Sequence, residues 1–135
     1  MRNIYIVLPL VAVIALIVVI AILTVQKSIP SFTIETISST CMTGEHDLDI
    51  RAEGNSIVII APIQTPNPCY SVVGDVKFSG RNIEVDLSAV SKQGVCIQCI
   101  GEVTGKVVIQ NLTKGTYSVK IKTPEKVAIT TILIG

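Results

Sequence analysis

Cys96 and Cys99 form a Cys-x-x-Cys pair, the arrangement in this sequence that is best suited to chemistry. That spacing occurs in thiol–disulfide oxidoreductases and as half of many zinc sites. Redox chemistry requires a thiol with a lowered pKa, which a helix N-terminus or a neighbouring cation commonly provides. Here the flanking residues are β-branched, which indicates a strand, and the nearest cation is Lys92. The pattern therefore favours a structural crosslink over catalysis.

A metal site is the second chemical alternative. The candidate ligands are Cys41, His46, Cys69, Cys96 and Cys99, which are enough for zinc. A structural zinc site usually draws its second half from another close pair, whereas the other three residues are scattered along the chain. Blue copper normally uses two histidines, and this sequence contains one. Zinc or copper binding is therefore kept as an alternative, and no cofactor is predicted.

Other chemistry has less support. A Ser-His-Asp site would have to use His46, and no serine lies in a nucleophile-elbow context. Asp47 and Asp49 share one face of a predicted strand, which is typical of a solvated surface rather than a calcium site. The net charge is +1 with both signs interspersed, so nothing indicates a nucleic-acid partner. We predict a protein that is not an enzyme, and no small-molecule substrate is identified.

The N-terminal segment reads as a membrane anchor. Residues 4–25 are uncharged and apolar, and at about 1.5 Å per residue they would span roughly 33 Å as a helix. The run is longer than the core of a cleaved signal peptide and is not followed by a small-x-small site. We predict an uncleaved signal anchor at 1–27 and a linker at 28–31. Because four cysteines follow it, we expect a cytoplasmic N-terminus and a domain outside the cell.

Residues 32–135 read as one all-β domain. Short β-branched runs alternate with polar residues and are separated by Gly, Asn and Pro, which indicates a sandwich or barrel. We expect seven to nine strands and an irregular segment at 62–68, where there are three prolines. The predicted strands are 32–38, 46–52, 56–61, 69–79, 82–89, two within 95–110 interrupted near Gly101 or Gly105, 116–122 and 126–134.

The segment from Leu112 to Ile121 resembles the Leu-x-x-Gly-x-Tyr-x-Val start of a late strand in immunoglobulin-like sandwiches. This resemblance implies an immunoglobulin-like antiparallel β-sandwich following the single transmembrane helix. It also implies a tyrosine corner, in which Tyr117 hydrogen-bonds back to the preceding corner. The alternative is an ordinary half-buried strand tyrosine.

A second resemblance overlaps the first. The order Pro68-Cys69-Tyr70, then Gly94-Val95-Cys96, then the Tyr117 strand is similar to a pattern in uncharacterised secreted or surface sandwich domains. That resemblance covers residues 68–121 and implies that Cys69 pairs with Cys96. Four cysteines permit three pairings, and Cys96 cannot reach Cys99 if the segment between them is extended. With Cys69 assigned to Cys96, we expect Cys41 to pair with Cys99.

Two further features concern the surface. Asn111-Leu112-Thr113 is a glycosylation sequon, so Asn111 is the candidate acceptor. The C-terminal strand is apolar on both faces, and either burial or pairing with a neighbouring strand explains this pattern. The candidates for such a contact are Val127, Ile129, Ile132 and Ile134.

We therefore expect a non-catalytic domain on the cell membrane. It would act as an accessory subunit of a larger membrane complex or as a surface interaction module, and its partners would be proteins, neighbouring copies among them. The alternative is an extracytoplasmic redox or metal-binding factor that uses Cys96 and Cys99. A composition rich in Ile and Val with crosslinked cysteines would suit a thermophilic, archaeal source.

Overall fold

A computed structural model describes residues 12–20, 29–44 and 46–135. Residues 12–20 are helical. Within the described ranges, no helix combines the length and the apolar character needed to cross a membrane. The predicted anchor covers 1–27, and its parts at 1–11 and 21–27 lie outside the described residues.

The rest of the described chain is a β-sandwich, which confirms the expected fold class at that level. Sheet A has the strand order β1-β6-β3-β2, and sheet B has the order β4-β5-β7-β8. The eight strands agree with the expected number. Their bounds are β1 Ser31–Cys41, β2 Asp49–Glu53, β3 Ser56–Thr65, β4 Tyr70–Ser79, β5 Asn82–Ser91, β6 Gly101–Gln110, β7 Gly115–Lys122 and β8 Val127–Ile134.

The core lies between the two sheets and follows the alternation in the sequence. Every second residue of the central strands points inward, because side chains in a strand alternate between the two faces. The chain contains two Phe, three Tyr and no Trp, so branched aliphatic side chains fill most of this space. The largest fully buried side chains are Ile57, Ile59, Ile63, Ile83, Leu87, Ile109, Ile121, Ile134, Val85, Val103, Val107 and Val119.

The strand connections correct the prediction of an immunoglobulin-like antiparallel sandwich. β5 pairs with β7 in parallel, with Ile83 opposite Val119 and Val85 opposite Ile121. The chain leaves sheet B after β5, runs back through sheet A as β6, and returns as β7 in the direction of β5. The order in sheet A also differs from the A-B-E-D order of immunoglobulin domains. The strand connectivity therefore differs from that of immunoglobulin domains, although the two-layer packing is the same.

Two strand boundaries also correct the sequence-based expectation. β3 continues through Pro62 to Thr65, whereas the three prolines predict an irregular segment at 62–68. β2 stops pairing at Ile60, so β3 has only one neighbour beyond that residue and tolerates a proline. Residues 95–100 form a loop and a single strand, β6, follows, so the two strands expected within 95–110 are wrong.

The sandwich has two distinct ends, the Ser31 end and the clamped end. β1 begins at Ser31, opposite Gln110, and ends at Cys41, opposite Gly101. The Ser31 end therefore carries Ser31 and the loop 111–114. The clamped end carries Cys41 and the loop 92–100. With 11 residues in β1, these ends are about 35 Å apart.

Candidate functional site

Two disulfides hold the clamped end together. Cys41 is bonded to Cys99, with 5.8 Å between their Cα atoms, and Cys69 is bonded to Cys96, with 5.9 Å between theirs. Cys41 ends β1 of sheet A, and Cys69 directly precedes β4 of sheet B. Residues 92–100, called the clamped loop from here on, are therefore tied covalently to both sheets.

This pairing uses Cys96 and Cys99 in separate crosslinks. The loop between them is irregular, and the Cys99 amide donates a hydrogen bond to the Ile97 carbonyl at 3.2 Å. The strand expected at this motif is therefore wrong, because the segment bends between two anchoring partners. Since all four cysteines are in disulfides, the thiolates that the redox and metal alternatives require are present only after reduction.

The remaining candidate ligand, His46, has a different neighbour. Its Nδ1 lies 2.7 Å from Oε1 of Glu102, and Glu102 is 8% exposed on the outer face of β6. Among the described residues, no three His, Cys, Asp or Glu side chains are grouped so that they could hold a metal ion. The sequence does not single out Glu102, because an outward position in an alternating strand is typical of a solvated surface residue.

Asn67 stabilises the clamped end through its side-chain and backbone oxygen atoms. Its side-chain oxygen accepts a hydrogen bond from the Cys69 amide at 3.0 Å, and its carbonyl accepts one from the Thr65 hydroxyl at 2.7 Å. The Sγ atom of Cys96 lies 3.2 Å from the same Asn67 side-chain oxygen. An asparagine between two prolines readily forms such a turn, because its side chain can bond to the backbone two residues on. The turn thereby sets the position of Cys69.

Backbone hydrogen bonds fix both ends of the clamped loop. The Lys92 amide donates to the Cys69 carbonyl at 2.8 Å, and the Met42 amide donates to the Ile100 carbonyl at 2.8 Å. Each of these bonds lies beside one of the disulfides. The loop is therefore held at its start against sheet B and at its end against sheet A.

The clamped loop exposes apolar side chains. Val95 is fully exposed, Ile97 is 71% exposed and Ile100 is 59% exposed. The cysteines between them are half-buried, so the crosslinks turn inward while the aliphatic residues point to solvent. Lys92 is the only charged residue of this loop. Three strongly exposed aliphatic side chains in a loop of nine residues are typical of a contact site.

A polar cleft of about 460 Å³ lies beside the loop. His46 and Glu102 line one part of it, and Gln64 and Glu125 line another. The Gln64 amide donates a hydrogen bond to Oε1 of Glu125 at 3.0 Å, which ties the turn after β7 to the end of β3. The clamped end therefore combines an apolar loop with a polar flank.

The profile of the ORF11 beta-sandwich domain matches residues 59–131. The chain belongs to this family. The match covers more than half of the chain and runs from β3 into β8, so it includes strands of both sheets. It confirms the β-sandwich that both resemblances implied, whereas the cysteine pattern of the second resemblance stays a prediction. The chain matches neither a curated protein nor a solved structure.

In this ORF11 β-sandwich domain, Tyr117 lies at the Ser31 end, near the start of β7. Its side chain is 5% exposed, and its hydroxyl donates a hydrogen bond to the Thr113 carbonyl at 3.0 Å. The Thr113 hydroxyl oxygen lies 3.0 Å from the Tyr117 hydroxyl oxygen. This contact is a tyrosine corner in geometry, although the strand order is not that of an immunoglobulin domain. It fixes the loop 111–114 of the family domain.

The sequon forms part of that same corner. Asn111 is exposed and has a φ of 61°, and its side-chain amide donates to the Ser31 hydroxyl at 3.3 Å. Leu112 is 6% exposed, and Thr113 contacts Tyr117. The sequon is therefore part of the folded corner, with its acceptor side chain exposed at the surface. Glycosylation of Asn111 stays a prediction.

β8 separates the four partner-strand candidates into two groups. Val127 and Ile129 point outward and are 59% and 69% exposed, whereas Ile132 and Ile134 point inward and are 8% and 1% exposed. Ile132 and Ile134 are therefore core residues, because odd- and even-numbered positions of a strand lie on opposite faces. Pairing with a neighbouring strand would use the backbone along the edge of β8, and it stays a prediction. Leu133, which the sequence reading did not select, joins the outward group at 69% exposure.

Proposed function

We propose that this protein is a non-catalytic, membrane-anchored β-sandwich that presents a protein-contact surface outside the cell. It serves as a surface interaction module or as an accessory subunit of a larger membrane complex. The observation that carries the proposal is the clamped loop, in which exposed Val95, Ile97 and Ile100 are held between two disulfides. The contact is hydrophobic, and the loop is its centre.

Rigidity makes this loop suited to binding. An ordinary nine-residue loop would lose conformational entropy when a partner orders it, and that loss weakens the complex. Two disulfides and two flanking backbone hydrogen bonds already restrict the clamped loop in the free protein. The apolar side chains therefore gain burial with little ordering cost, at roughly 25 cal/mol for each Å² removed from water.

The disulfides and the apolar N-terminal run support the location. Disulfides persist in oxidising compartments, outside the cytosol. A membrane anchor ahead of Ser31 would direct the Ser31 end of the sandwich toward the bilayer. The clamped loop lies at the opposite end of β1, so it would be the part of the domain that reaches farthest from the membrane, where a partner has access.

Site-specific photo-crosslinking in native membranes tests the contact. A photoactivatable residue placed at Ile97 should give a discrete adduct, and Val95→Asp in the same chain should reduce that adduct at least fivefold. The matched control is a photoactivatable residue at Asp75, which is exposed on β4 away from the clamped end. The same adducts from both positions, or none from Ile97, would contradict a specific contact of the loop.

Labelling of intact cells tests the location. A membrane-impermeant amine reagent should modify Lys92, which is exposed on the clamped loop, without cell lysis. Modification that requires lysis would place the domain on the inner side and overturn the proposal. A cytoplasmic protein of the same cells provides the control for membrane integrity.

A further inference from the structure

β8 is the one edge strand of the described sandwich that lacks protection against pairing. The four edges are β1 and β2 of sheet A and β4 and β8 of sheet B. Natural sandwiches protect such edges with bulges, charges or short strands, because an exposed edge offers unpaired backbone groups to any other strand.

The other three edges each carry such a device. β1 has a register shift between Thr36 and Ser38. β2 is five residues long and carries three charges, namely Asp49, Arg51 and Glu53. β4 exposes Asp75 and Lys77 on its outer face.

β8 shows none of these features. It is eight residues long, contains no charged residue and no proline, and pairs with β7 without a register shift. Its outer face carries Val127, Ile129 and Leu133, which are all more than half exposed. This edge is therefore both regular and apolar.

We propose that β8 pairs with β8 of a second copy of this chain, in antiparallel orientation and with Thr131 at the centre. This pairing joins two copies of sheet B into one eight-stranded sheet. Residues directly opposite each other in an antiparallel pair point to the same face. With Thr131 opposite Thr131 of the second copy, Ile129 therefore lies opposite Leu133 of the second copy on the outer face.

The sequence of β8 favours a copy of itself as the occupant. The outer row Ile129-Thr131-Leu133 places apolar residues opposite apolar residues and threonine opposite threonine when it is reversed, and both kinds of cross-strand pair are favourable. The same operation centred on Arg51 of β2 or on Asp75 of β4 would put identical charges opposite each other. β8 carries no charge, so pairing with an identical strand causes no repulsion between like charges.

The pairing uses other residues than the contact proposed for the clamped loop, because β8 runs along the side of the sandwich and the loop lies at its end. It fixes the relative direction of two copies. The Ser31 ends of paired copies lie at opposite ends of the joined sheet, so anchored copies would meet from facing membranes. Crosslinking of the full chain in detergent micelles tests the pairing, and its failure would leave the location and loop experiments unaffected.

Cysteine crosslinking measures the register directly. Thr131→Cys should form a disulfide-linked dimer under mild oxidation, at least ten times more readily than Val73→Cys. Val73 provides the matched control because it is exposed on the outer face of the other edge strand of sheet B. Peptide mass spectrometry should identify the 131–131 linkage and both native disulfides. Equal crosslinking of the two variants would overturn the proposal.

A charge on β8 provides the second measurement. Ile129→Lys should reduce crosslinking through Thr131→Cys at least fivefold, whereas Val90→Lys, an exposed position of β5, should leave it unchanged. Both variants should keep the wild-type circular dichroism spectrum. Undiminished crosslinking in Ile129→Lys would overturn the proposal. So would a wild-type chain that is monomeric and whose β8 pairs with a strand of another protein.

Discussion

Gly101 lies so close to Asn67 that a β-carbon on Gly101 would be 2.3 Å from the carbonyl carbon and oxygen of Asn67. These are backbone atoms, and they belong to the turn that positions Cys69. The first residue of β6 therefore packs directly under that turn, next to both disulfides. A side chain at position 101 would displace the support of the clamped loop.

Gly101→Ala should destabilise the fold. Because the added methyl group meets backbone rather than a flexible side chain, we expect a loss of about 1–3 kcal/mol in the free energy of unfolding, measured by denaturant titration without reductant. Gly44→Ala is the control: Gly44 also belongs to a loop at the clamped end, and its β-carbon would have no neighbour within 4 Å. A Gly101→Ala chain as stable as wild type would contradict the close packing.

Alternation in the sequence predicts the faces of the strands well. In β5, Ile83, Val85 and Leu87 are buried as their period of two predicts. The sandwich and its number of strands follow from the same pattern, because each amphipathic strand must cover its apolar face. Local patterns of this kind do not encode which strands become neighbours.

The parts that could not be predicted depend on contacts distant in sequence. The parallel pairing of β5 and β7 follows from the passage of β6 through the other sheet, and no residue near Val85 or Ile121 indicates it. Glu102 becomes buried because the segment with His46 folds over it. Val95 and Ile97 are exposed because the two disulfides orient the cysteines of their loop toward the two sheets.

Removal of either disulfide should destabilise the domain. The crosslinked residues are 58 apart for Cys41–Cys99 and 27 apart for Cys69–Cys96, for which loop entropy gives about 4 and 3.5 kcal/mol. The paired variants Cys41→Ser with Cys99→Ser and Cys69→Ser with Cys96→Ser should each lose roughly 2–4 kcal/mol in denaturant titrations.

Peptide mapping without reductant provides the control for that prediction. It should recover the unaltered disulfide in each paired variant. A Cys96–Cys99 bond in the wild-type chain would instead contradict the structural role of the crosslinks and support the redox alternative.

Tyr117→Phe should cost about 1 kcal/mol, because it removes the hydrogen bond to the Thr113 carbonyl inside a buried corner. Thermal unfolding measures the change. Tyr70→Phe in β4, where the side chain is half-buried, is the matched control and should change stability by less than half as much. Equal effects of the two substitutions would show that the corner has no special role in stability.

The ion pair between Glu84 and Lys122 joins the two parallel strands on the outer face of sheet B. The hydrogen bond from Lys122, followed by the charge of Lys122, lowers the pKa of Glu84 from its ordinary value of 4.5. A carboxylate with a lowered pKa stabilises the fold above its unfolded pKa, and the effect is lost as the pH falls through the folded pKa. Glu84→Gln should therefore be less stable than wild type at pH 7 and lose that difference in acid.

Unfolding midpoints measured from pH 7 to pH 2 check this dependence. The difference in unfolding midpoint between wild type and Glu84→Gln should begin to decrease near pH 4.5 and vanish below the lowered pKa of Glu84. At neutral pH, 1 M salt should reduce this difference because both groups are partly exposed. Glu35→Gln is the control, since Glu35 lies 3.6 Å from Lys106 in a more exposed pair on sheet A and should show a smaller gap. A gap of unchanged size at pH 2 would mean that Glu84 acts through packing rather than through its charge.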